Sequence, residues 1–382
     1  MHRKYSMKKA LPVLFGFFIM GLVDLVGIAT NYVKQDFALS DTLANLLPMT
    51  LFVWFALLSV PTGMLMNKLG RKRTVVISMA VSLTAMLLPL VSYNFPMMLA
   101  AFGMLGIGNT IIQVSLNPLL ADVIRNDRLT SSLTLGQFIK AIAAFLGPII
   151  AGVAAGNFGN WKLVFLFFGV VTVFSGLWLW LTPISEKPGA QSSFSFAASF
   201  GLLKDRTILV LFLGIVFVVG VDVGLNTTVP KFLIERCNIP LEKAGLGTSL
   251  YFVARTIGTF LGAILLVKIS GRKFFIVNML IAIPSMIIML LLGNLWVILG
   301  MVFILGFAIA NVFPIIFSAA LKRVPGYANE VSGLMIMGIA GGAVIPLVMG
   351  VTSDSFGQTG GMAVLLVTLA YLLFNAVKLK KE

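Results

Sequence analysis

Long apolar runs separated by short polar stretches recur from one end of the sequence to the other. A helix needs about 20 mainly apolar residues to cross a bilayer, whereas a membrane-barrel strand alternates apolar and polar residues over about 10. Runs such as VISMAVSLTAMLLPLV are apolar throughout and therefore predict helices. Twelve membrane spans are predicted, at residues 10–33, 44–67, 74–92, 96–124, 129–156, 160–182, 207–233, 241–269, 273–292, 295–322, 327–354 and 358–378.

The composition excludes several classes of protein. Of the 382 residues, 59% are hydrophobic and 11% charged, whereas soluble domains are about 25% charged. The net charge of +15 comes from basic residues scattered between apolar runs, so we expect the lipid bilayer as partner and no nucleic acid. The only cysteine is Cys237 and the only histidine is His2. We therefore expect no metal site, no cofactor and no catalytic residues, and the chain is not predicted to be an enzyme.

Lysine and arginine set the predicted orientation. With a cytoplasmic N-terminus, 21 of these residues fall on the inner side and 5 on the outer side. The remaining two, Lys140 and Arg255, fall within predicted spans. Because basic residues concentrate in cytoplasmic loops, both termini are predicted to be cytoplasmic. The chain is predicted to be a multi-pass protein of a bacterial-type inner (plasma) membrane.

An internal repeat divides the chain into two halves. The longest polar stretch predicts a cytoplasmic linker at 183–206, between an N-terminal six-helix bundle at 1–182 and a C-terminal one at 207–382. GLVDLVGIATNYV in the first span resembles GVDVGLNTTVPKFL in the seventh, and GRKR at 70–73 has a counterpart in GRKF at 271–274. The predicted fold is an all-α membrane protein with twelve transmembrane helices in two pseudo-symmetric bundles. Repeats of this kind commonly place a binding site between the halves near the bilayer midplane.

Four charged residues are predicted to lie deep within the spans: Asp24, Lys140, Asp222 and Arg255. At 1.5 Å per residue they lie roughly 17–23 Å from the cytoplasmic ends of their helices, in one layer. A charge at this depth costs at least about 2.5–3.5 kcal/mol and usually marks a pathway, an ion pair or a relay. One interpretation is that they form structural ion pairs. The other is ion coupling, in which a proton or cation breaks a pair between Asp24 and Lys140.

One loop resembles a known family motif. GMLMNKLGRKR, from Gly63 to Arg73, is similar to the loop between helices two and three of the major facilitator superfamily, which helps to latch the two halves together. The chain departs from this motif at Asn67, where the family usually has an acid. The alternative is that the loop is only a basic cytoplasmic anchor. The predicted gating residues are Gly63, Asn67, Gly70, Arg71, Lys72 and Arg73.

A narrower resemblance covers most of the chain. GIGNTIIQVSLNPLLADV, VVGVDVGLNTTVPKFLI, ARTIGTFLGAILL and NVFPIIFSAALK are similar to segments of the fucose permease group. That resemblance implies import of a monosaccharide coupled to protons or sodium. Two departures matter: Gln113 replaces a glutamate implicated in proton coupling, and Lys140 replaces an asparagine.

Polar and aromatic side chains near the charged layer suggest how a sugar would bind. Amide groups offer paired donors and acceptors for hydroxyls, and aromatic rings offer an apolar face. The alternative for each amide is a hydrogen bond between helices. The amides of the layer are Asn31, Asn109, Gln113, Asn117, Gln137, Asn226 and Asn311. The predicted substrate-binding residues are Gln113, Asn117, Gln137, Asn226, Asn311, Tyr251, Trp54 and Phe313.

Three functions fit these observations. The first is a monomeric transporter that imports a monosaccharide with a proton or sodium ion by alternating access. The second is an importer of an anionic solute such as a sugar acid, with Lys140 and Arg255 as carboxylate partners. The third is a drug/proton antiporter.

Overall fold

The structure is a computed structural model that describes residues 7–39, 43, 46–186, 196–239 and 241–379. Every regular element among these residues is helical, as the apolar runs predict. The α-helices are α1 Met7–Met20, α2 Leu25–Asp36, α3 Leu46–Leu69, α4 Arg71–Val91, α5 Phe95–Val123, α6 Leu129–Phe158, α7 Leu163–Leu181, α8 Phe196–Gly201, α9 Arg206–Cys237, α10 Leu241–Leu265, α11 Gly271–Leu291, α12 Leu295–Ile309, α13 Val312–Arg323, α14 Ala328–Met337 and α15 Gly341–Lys378.

The described residues contain ten helices long and apolar enough to cross a membrane. The chain is therefore a multi-pass membrane protein. Predicted spans one and eight are not among the ten. The first span is divided among α1, a 3-10 turn and α2, and the eighth contributes only a shorter apolar helix at Ser249–Leu265. Twelve spans and two six-helix bundles thus stay a prediction.

Three of the predicted spans are interrupted. The first contains the 3-10 turn Gly21–Asp24, and the eleventh contains the 3-10 turn Gly338–Ala340 between α14 and α15. The tenth breaks between α12 and α13. Close packing accompanies two of these breaks, since a Cβ on Gly21 would meet the Lys140 carbonyl oxygen and one on Gly341 would meet that of Val216. An interrupted helix frees backbone polar groups at membrane depth, which only a buried or water-lined position tolerates.

The helix boundaries repeat with a spacing of 200 residues. Helix α4 covers 71–91 and α11 covers 271–291, while α5 begins at Phe95 and α12 at Leu295. The caps repeat as well, because the Asn94 and Asn294 side chains each accept hydrogen bonds from backbone amides of the first helical turn. The structural repeat therefore supports the internal repeat seen in the sequence.

The chain forms two compact units. Unit 1 comprises Met1–Leu129, Gly136–Gly201 and Val324–Met337, and unit 2 comprises Thr130–Leu135, Leu202–Arg323 and Gly338–Glu382. Each unit thus takes a short helical segment from the other half of the sequence. The prediction of bundles at 1–182 and 207–382 stays a prediction.

Hydrogen bonds hold each of these short segments in its unit. In unit 1 the Ser332 hydroxyl donates to the Val114 carbonyl at 2.5 Å. In unit 2 the Thr130 hydroxyl lies 2.7 Å from that of Ser318, and Ser131 donates to the Ala263 carbonyl at 2.5 Å. Thr130 and Ser332 lie near the starts of α6 and α14, whose spans are equivalent in the repeat.

The described end of the predicted linker is anchored to α13. Asp205 caps α9 by accepting a hydrogen bond from the Thr207 amide, and it pairs with Arg323 at 3.0 Å. Burial raises the pKa of Asp205, but the Thr207 amide and the Arg323 guanidinium outweigh it and hold the pKa below its ordinary value. Linker residues 187–195 lie outside the described residues, as does the side chain of Asn31.

The end of unit 1 opposite to the GRKR loop carries an aromatic cluster around one acid. Asp36, the last residue of α2, accepts hydrogen bonds from the Tyr93 hydroxyl and from the Trp161 indole at 2.9 Å. In unit 2, Glu235 near the end of α9 accepts from the backbone N–H of Gln358. Asp36 thus joins the end of α2 to the stretch just before α7, and Glu235 joins the end of α9 to α15. In each half of the repeat, the acid therefore connects the first span to the last.

Candidate functional site

An ion pair in unit 2 joins α9, whose residues Arg206–Asn226 are long and apolar enough to span a membrane, to the shorter apolar helix in α10. Arg255 Nη1 on α10 is 2.7 Å from Asp222 Oδ2 on α9. The Tyr251 hydroxyl, one turn before Arg255, donates to Asp222 Oδ1 at 2.5 Å. The side chains of Arg255 and Asp222 are 36% and 20% exposed, while Tyr251 is fully buried. The structure therefore joins two predicted ion-coupling residues and one predicted substrate-binding residue in a partly accessible cluster.

A glycine on the neighbouring helix lets Tyr251 take this position. A Cβ on Gly306 of α12 would lie 2.7 Å from the Tyr251 carbonyl oxygen and 3.0 Å from its ring. The next residue, Phe252, packs edge-on against the Tyr251 ring at 5.7 Å between centroids and is exposed. Helix α12 therefore packs closely against the Tyr251 ring, and the Tyr251 hydroxyl reaches Asp222.

Three amides of α5 form a buried ladder in unit 1. Asn117 Nδ2 donates to the backbone carbonyl oxygen of Gln113 at 2.7 Å, and Gln113 Nε2 donates to Asn109 Oδ1 at 2.7 Å. Asn109 Nδ2 in turn donates to the Met20 carbonyl at 2.8 Å, where α1 ends. All three amides are at most 5% exposed. The ladder therefore supplies a partner for a carbonyl at the break in the first span.

Asp24 and Lys140 lie on either side of a close helix crossing in unit 1. Asp24 ends the 3-10 turn and is exposed, while Lys140 on α6 is half-buried. The crossing is tight because Gly21, three residues before Asp24, packs against the Lys140 carbonyl. The two side chains thus arise from adjacent segments. Their direct pairing stays a prediction.

The other predicted substrate-binding residues of unit 1 are half-buried. Gln137 lies on α6, one turn before Lys140. Trp54 lies on α3 with its indole against α5, where a Cβ on Gly106 would come within 2.9 Å of the ring. The glycine on α5 therefore leaves room for the indole.

In unit 2, Asn226 follows Asp222 by one turn of α9 and is half-buried. Phe313 is also half-buried and stacks on Phe317 at 5.7 Å. Asn311 is fully buried at the break between α12 and α13, and its amide donates to the Gly258 carbonyl at 2.8 Å. Asn311 therefore links α13 to α10, and its role toward a substrate stays a prediction.

The first arginine of the GRKR loop lies in a buried polar network of unit 1. Arg71 is 4% exposed; its Nη1 is 2.8 Å from Asp122 Oδ2, and its Nε donates to Asn329 Oδ1 at 2.7 Å. Asn67 Nδ2 donates to Glu330 Oε1 at 2.7 Å, and Asn329 Nδ2 donates to Asn67 Oδ1 at 2.5 Å. The network connects α3, α4, α5 and α14.

Gly70 and Glu186 form the N-terminal cap of α4. Gly70 has φ +87°, and a Cβ there would lie 2.9 Å from the Glu186 carboxylate. Glu186 accepts hydrogen bonds from the backbone amides of Arg71 at 2.6 Å and Lys72 at 2.9 Å. The free amides of a helix N-terminus favour such an anion. Gly63 meanwhile lies on α3 where a Cβ would come 3.1 Å from the Asn329 carbonyl.

The structure changes the register of the repeated GRK motif. Lys72 Nζ donates to the Trp180 and Thr182 carbonyls at the end of α7, both at 2.8 Å. Arg272 donates to the Val377 carbonyl at the end of α15, at 3.1 Å. Because Lys72 and Arg272 are each the second residue of their helix, they are the equivalent pair.

Arg71 consequently corresponds to Gly271 and has no side-chain counterpart in the second copy. The contact of Arg71 with Asn329 on α14 therefore belongs to the first copy of the motif. Arg73, the last residue of the motif, is exposed.

Four members of the loop's surroundings were not identified from the sequence: Asp122, Glu186, Asn329 and Glu330. Asp122 and Glu330 are acids near the basic ends of predicted spans four and eleven, and that placement was the available signal. Their pairing across many residues has no signature in a single sequence.

The comparisons agree with this architecture. A profile of the Major Facilitator Superfamily matches residues 13–346. The glucose/galactose transporter of Brucella abortus biovar 1 (strain 9-941) is 24% identical over 378 residues, covering 94% of this chain and 90% of that protein. A probable sugar efflux transporter of Helicobacter pylori (strain G27) is 22% identical over 392 residues, covering 100% and 98%.

The fold is also similar to the crystal structure of the fucose:proton symporter of E. coli. The TM-score is 0.87 with 17% identity, and each chain is fully covered. Taken with the profile match over most of the sequence, the helical fold identifies a transport protein and not an enzyme: this chain belongs to the Major Facilitator Superfamily.

Proposed function

We propose that this protein is a secondary transporter that moves a monosaccharide together with a proton or sodium ion by alternating access. The observation that carries the proposal is the Asp222–Arg255 pair, a partly accessible ion pair between predicted spans seven and eight. Charges at this depth are costly and commonly serve ion or substrate pathways. The names of the similar proteins, which include a glucose/galactose transporter and a fucose:proton symporter, support a sugar and a coupling cation.

In this proposal the two halves of the chain have separate charge pairs. Asp222 and Arg255 serve the C-terminal half, and Asp24 and Lys140 serve the N-terminal half. A cation or proton at either carboxylate weakens its pair and changes the local charge that the substrate meets. The sugar is contacted by predicted binding residues that are half-buried and so keep part of their surface accessible: Gln137, Trp54, Asn226 and Phe313. Tyr251 positions Asp222.

The buried amides have a supporting role toward the same substrate. Gln113, Asn117 and Asn311 already donate hydrogen bonds within the protein. They hold α5 and α13 so that the half-buried residues face the substrate. The transporter acts as a monomer in the inner membrane, with six-helix halves and both termini in the cytoplasm.

Uptake into proteoliposomes tests the proposal directly. Labelled hexoses, 6-deoxyhexoses and hexuronates are offered separately under a proton gradient and under a sodium gradient. We expect concentrative uptake of a neutral sugar under one of these gradients, which identifies the coupling ion. The proposal would be overturned if no neutral sugar were taken up under either gradient.

One observation favours a second candidate, an importer of a sugar acid. Arg255 is the more exposed member of its pair, so a substrate carboxylate could approach its guanidinium. Uptake confined to hexuronates in the same panel supports this candidate.

The name of the Helicobacter pylori relative also raises net efflux as the direction, which the assay reveals when the gradient is reversed. A drug/proton antiporter would instead give proton-driven movement of apolar cations and none of sugars.

A further inference from the structure

The acid of the GRKR network lies in an unexpected place. The motif that the loop resembles has an acid at the position of Asn67, and this chain has an amide there. In the structure Asn67 Nδ2 donates to Glu330 Oε1 at 2.7 Å, and Glu330 is 3% exposed. The carboxylate at this junction is therefore supplied by α14 and the amide donor by α3.

The surroundings of Glu330 suit a carboxylate. Glu330 is the third residue of α14, and an acid in the first turn interacts favourably with the positive end of the helix dipole. A hydrogen bond to an ionised group is about twice as strong as a neutral one. Asn329 connects this junction to Arg71, whose charge is balanced by Asp122 at 2.8 Å.

We propose that Glu330 is the gate acid of this transporter, and that it replaces the acid missing at position 67. Its bond to Asn67 holds residues 328–337 on α3 and α4 in the state described by the structure. The inference rests on the proposed function, because only alternating access requires this segment to separate from α3. It follows that an acid at position 67, although usual in the family, is incompatible with Glu330.

The equivalent segment of the repeat uses different chemistry. Thr130 and Ser131 at the start of α6 are held by hydroxyl hydrogen bonds to Ser318 and to the Ala263 carbonyl. Both of these bonds join neutral groups. Of the segments Thr130–Leu135 and Val324–Met337, which each belong to the unit of the other half of the sequence, the one bearing Glu330 is therefore expected to be sensitive to charge.

The test measures separation of α14 from its neighbours without any substrate. Ser332 is fully buried and bonded to the Val114 carbonyl, so a cysteine there reacts with N-ethylmaleimide only when the segment opens. The parent protein is Ser332→Cys with Cys237→Ser, purified in detergent. Asn67→Asp, Glu330→Gln and the double variant are added to it. Lys68→Gln is the matched control, because it also lowers the charge by one at the adjacent, exposed position.

We expect Asn67→Asp to accelerate labelling about tenfold, since two carboxylates then meet at a buried junction and contacting charges couple strongly. Glu330→Gln keeps an acceptor but loses the charge, so labelling rises about threefold. In the double variant the carboxylate and the amide exchange places, so the new carboxylate on α3 accepts from the new amide on α14. The rate then returns to within about twofold of the parent. The Lys68→Gln control keeps the parent rate.

Labelling of Asn67→Asp at the parent rate would overturn the proposal. So would a double variant that is labelled as fast as Asn67→Asp, because the effect would then be misfolding rather than charge. The assay contains no sugar and no ion gradient. If labelling follows this pattern in a protein that transports no sugar, the gate is supported and the proposed function is rejected. If the protein transports a sugar but labelling does not follow this pattern, the gate is rejected and the proposed function stands.

Discussion

Asp222 and Arg255 form an ion pair with a 2.7 Å contact, and a third group, the buried Tyr251 hydroxyl, shares the carboxylate. The guanidinium and the tyrosine hydroxyl occupy different oxygens of Asp222. The carboxylate is thus held in one orientation while part of its surface stays accessible. Under the proposed function, a proton or cation at Asp222 would weaken its contact with Arg255, while the hydrogen bond from Tyr251 would keep the carboxyl group in place.

Neutralising Asp222 is predicted to uncouple transport. In Asp222→Asn the amide oxygen still accepts from Tyr251, but the charge that balances Arg255 is lost. We expect gradient-driven accumulation to fall to background while sugar counterflow retains about a third or more of its rate, because removal of a coupling charge spares substrate exchange. Both activities are measured in the same proteoliposomes.

Asp127→Asn serves as the control for this variant. Asp127 belongs to an exposed ion pair with Arg125, in which both side chains are more than half exposed. Such surface pairs contribute little, so accumulation should be unchanged. Full accumulation by Asp222→Asn would exclude Asp222 from coupling.

Asp24 is predicted to have the equivalent role in the N-terminal half. Asp24→Asn should abolish uphill accumulation and leave some exchange. If Asp24 pairs with Lys140, then Lys140→Gln should reduce exchange strongly in the parent and only weakly when Asp24→Asn is already present. Unchanged accumulation by Asp24→Asn would remove this residue from the coupling mechanism, and additive effects would reject the pair.

Hydrophobic pattern alone predicted much of the fold. Long apolar runs need only be counted, and ten of the twelve predicted spans correspond to helices of sufficient length and hydropathy. The break at Gly21–Asp24 was not predicted, because the run remains apolar on both sides of Asp24. The breaks at Asn311 and at Gly338–Ala340 depend on neighbouring helices, such as the Gly258 carbonyl that accepts from Asn311.

Less of the site could be predicted. Counting residues from the helix ends placed Asp222 and Arg255 in one layer, but depth does not reveal which charges meet. The interpretation from the sequence paired Asp24 with Lys140 and left the partners of Asp222 open. The partners of Arg71 were missed because Asn329 lies 258 residues away along the chain. A single sequence carries no signal for a contact at that separation.

The Tyr251 hydroxyl offers a finer test of the cluster. Tyr251→Phe removes only one donor and nearly preserves volume, so the protein should remain folded. A hydrogen bond to a charged group contributes about 1.5–3 kcal/mol, and its loss leaves Asp222 less well oriented toward Arg255. We expect accumulation to fall about tenfold while counterflow changes less than about twofold.

Tyr371→Phe is the matched control, because its hydroxyl donates to the Val210 carbonyl at 3.2 Å, a neutral acceptor. Equal losses of accumulation in the two variants would mean that any lost tyrosine hydroxyl disturbs transport. The positioning role of Tyr251 would then be rejected.

The last prediction concerns Gly70, where the backbone conformation and the capping acid meet. With φ +87° and ψ 159° the residue lies in a region that only glycine adopts readily, and strain there costs about 1–3 kcal/mol. Gly70→Ala should therefore lower the apparent melting temperature in detergent. It should also displace Glu186, since the new Cβ would lie 2.9 Å from the carboxylate.

Gly152→Ala is the control, because a Cβ at that exposed position on α6 meets nothing within 4 Å and alanine favours a helix by up to about 1 kcal/mol. If both variants melt at the parent temperature, Gly70 is not required by its backbone conformation, and the cap formed by Glu186 adapts without cost.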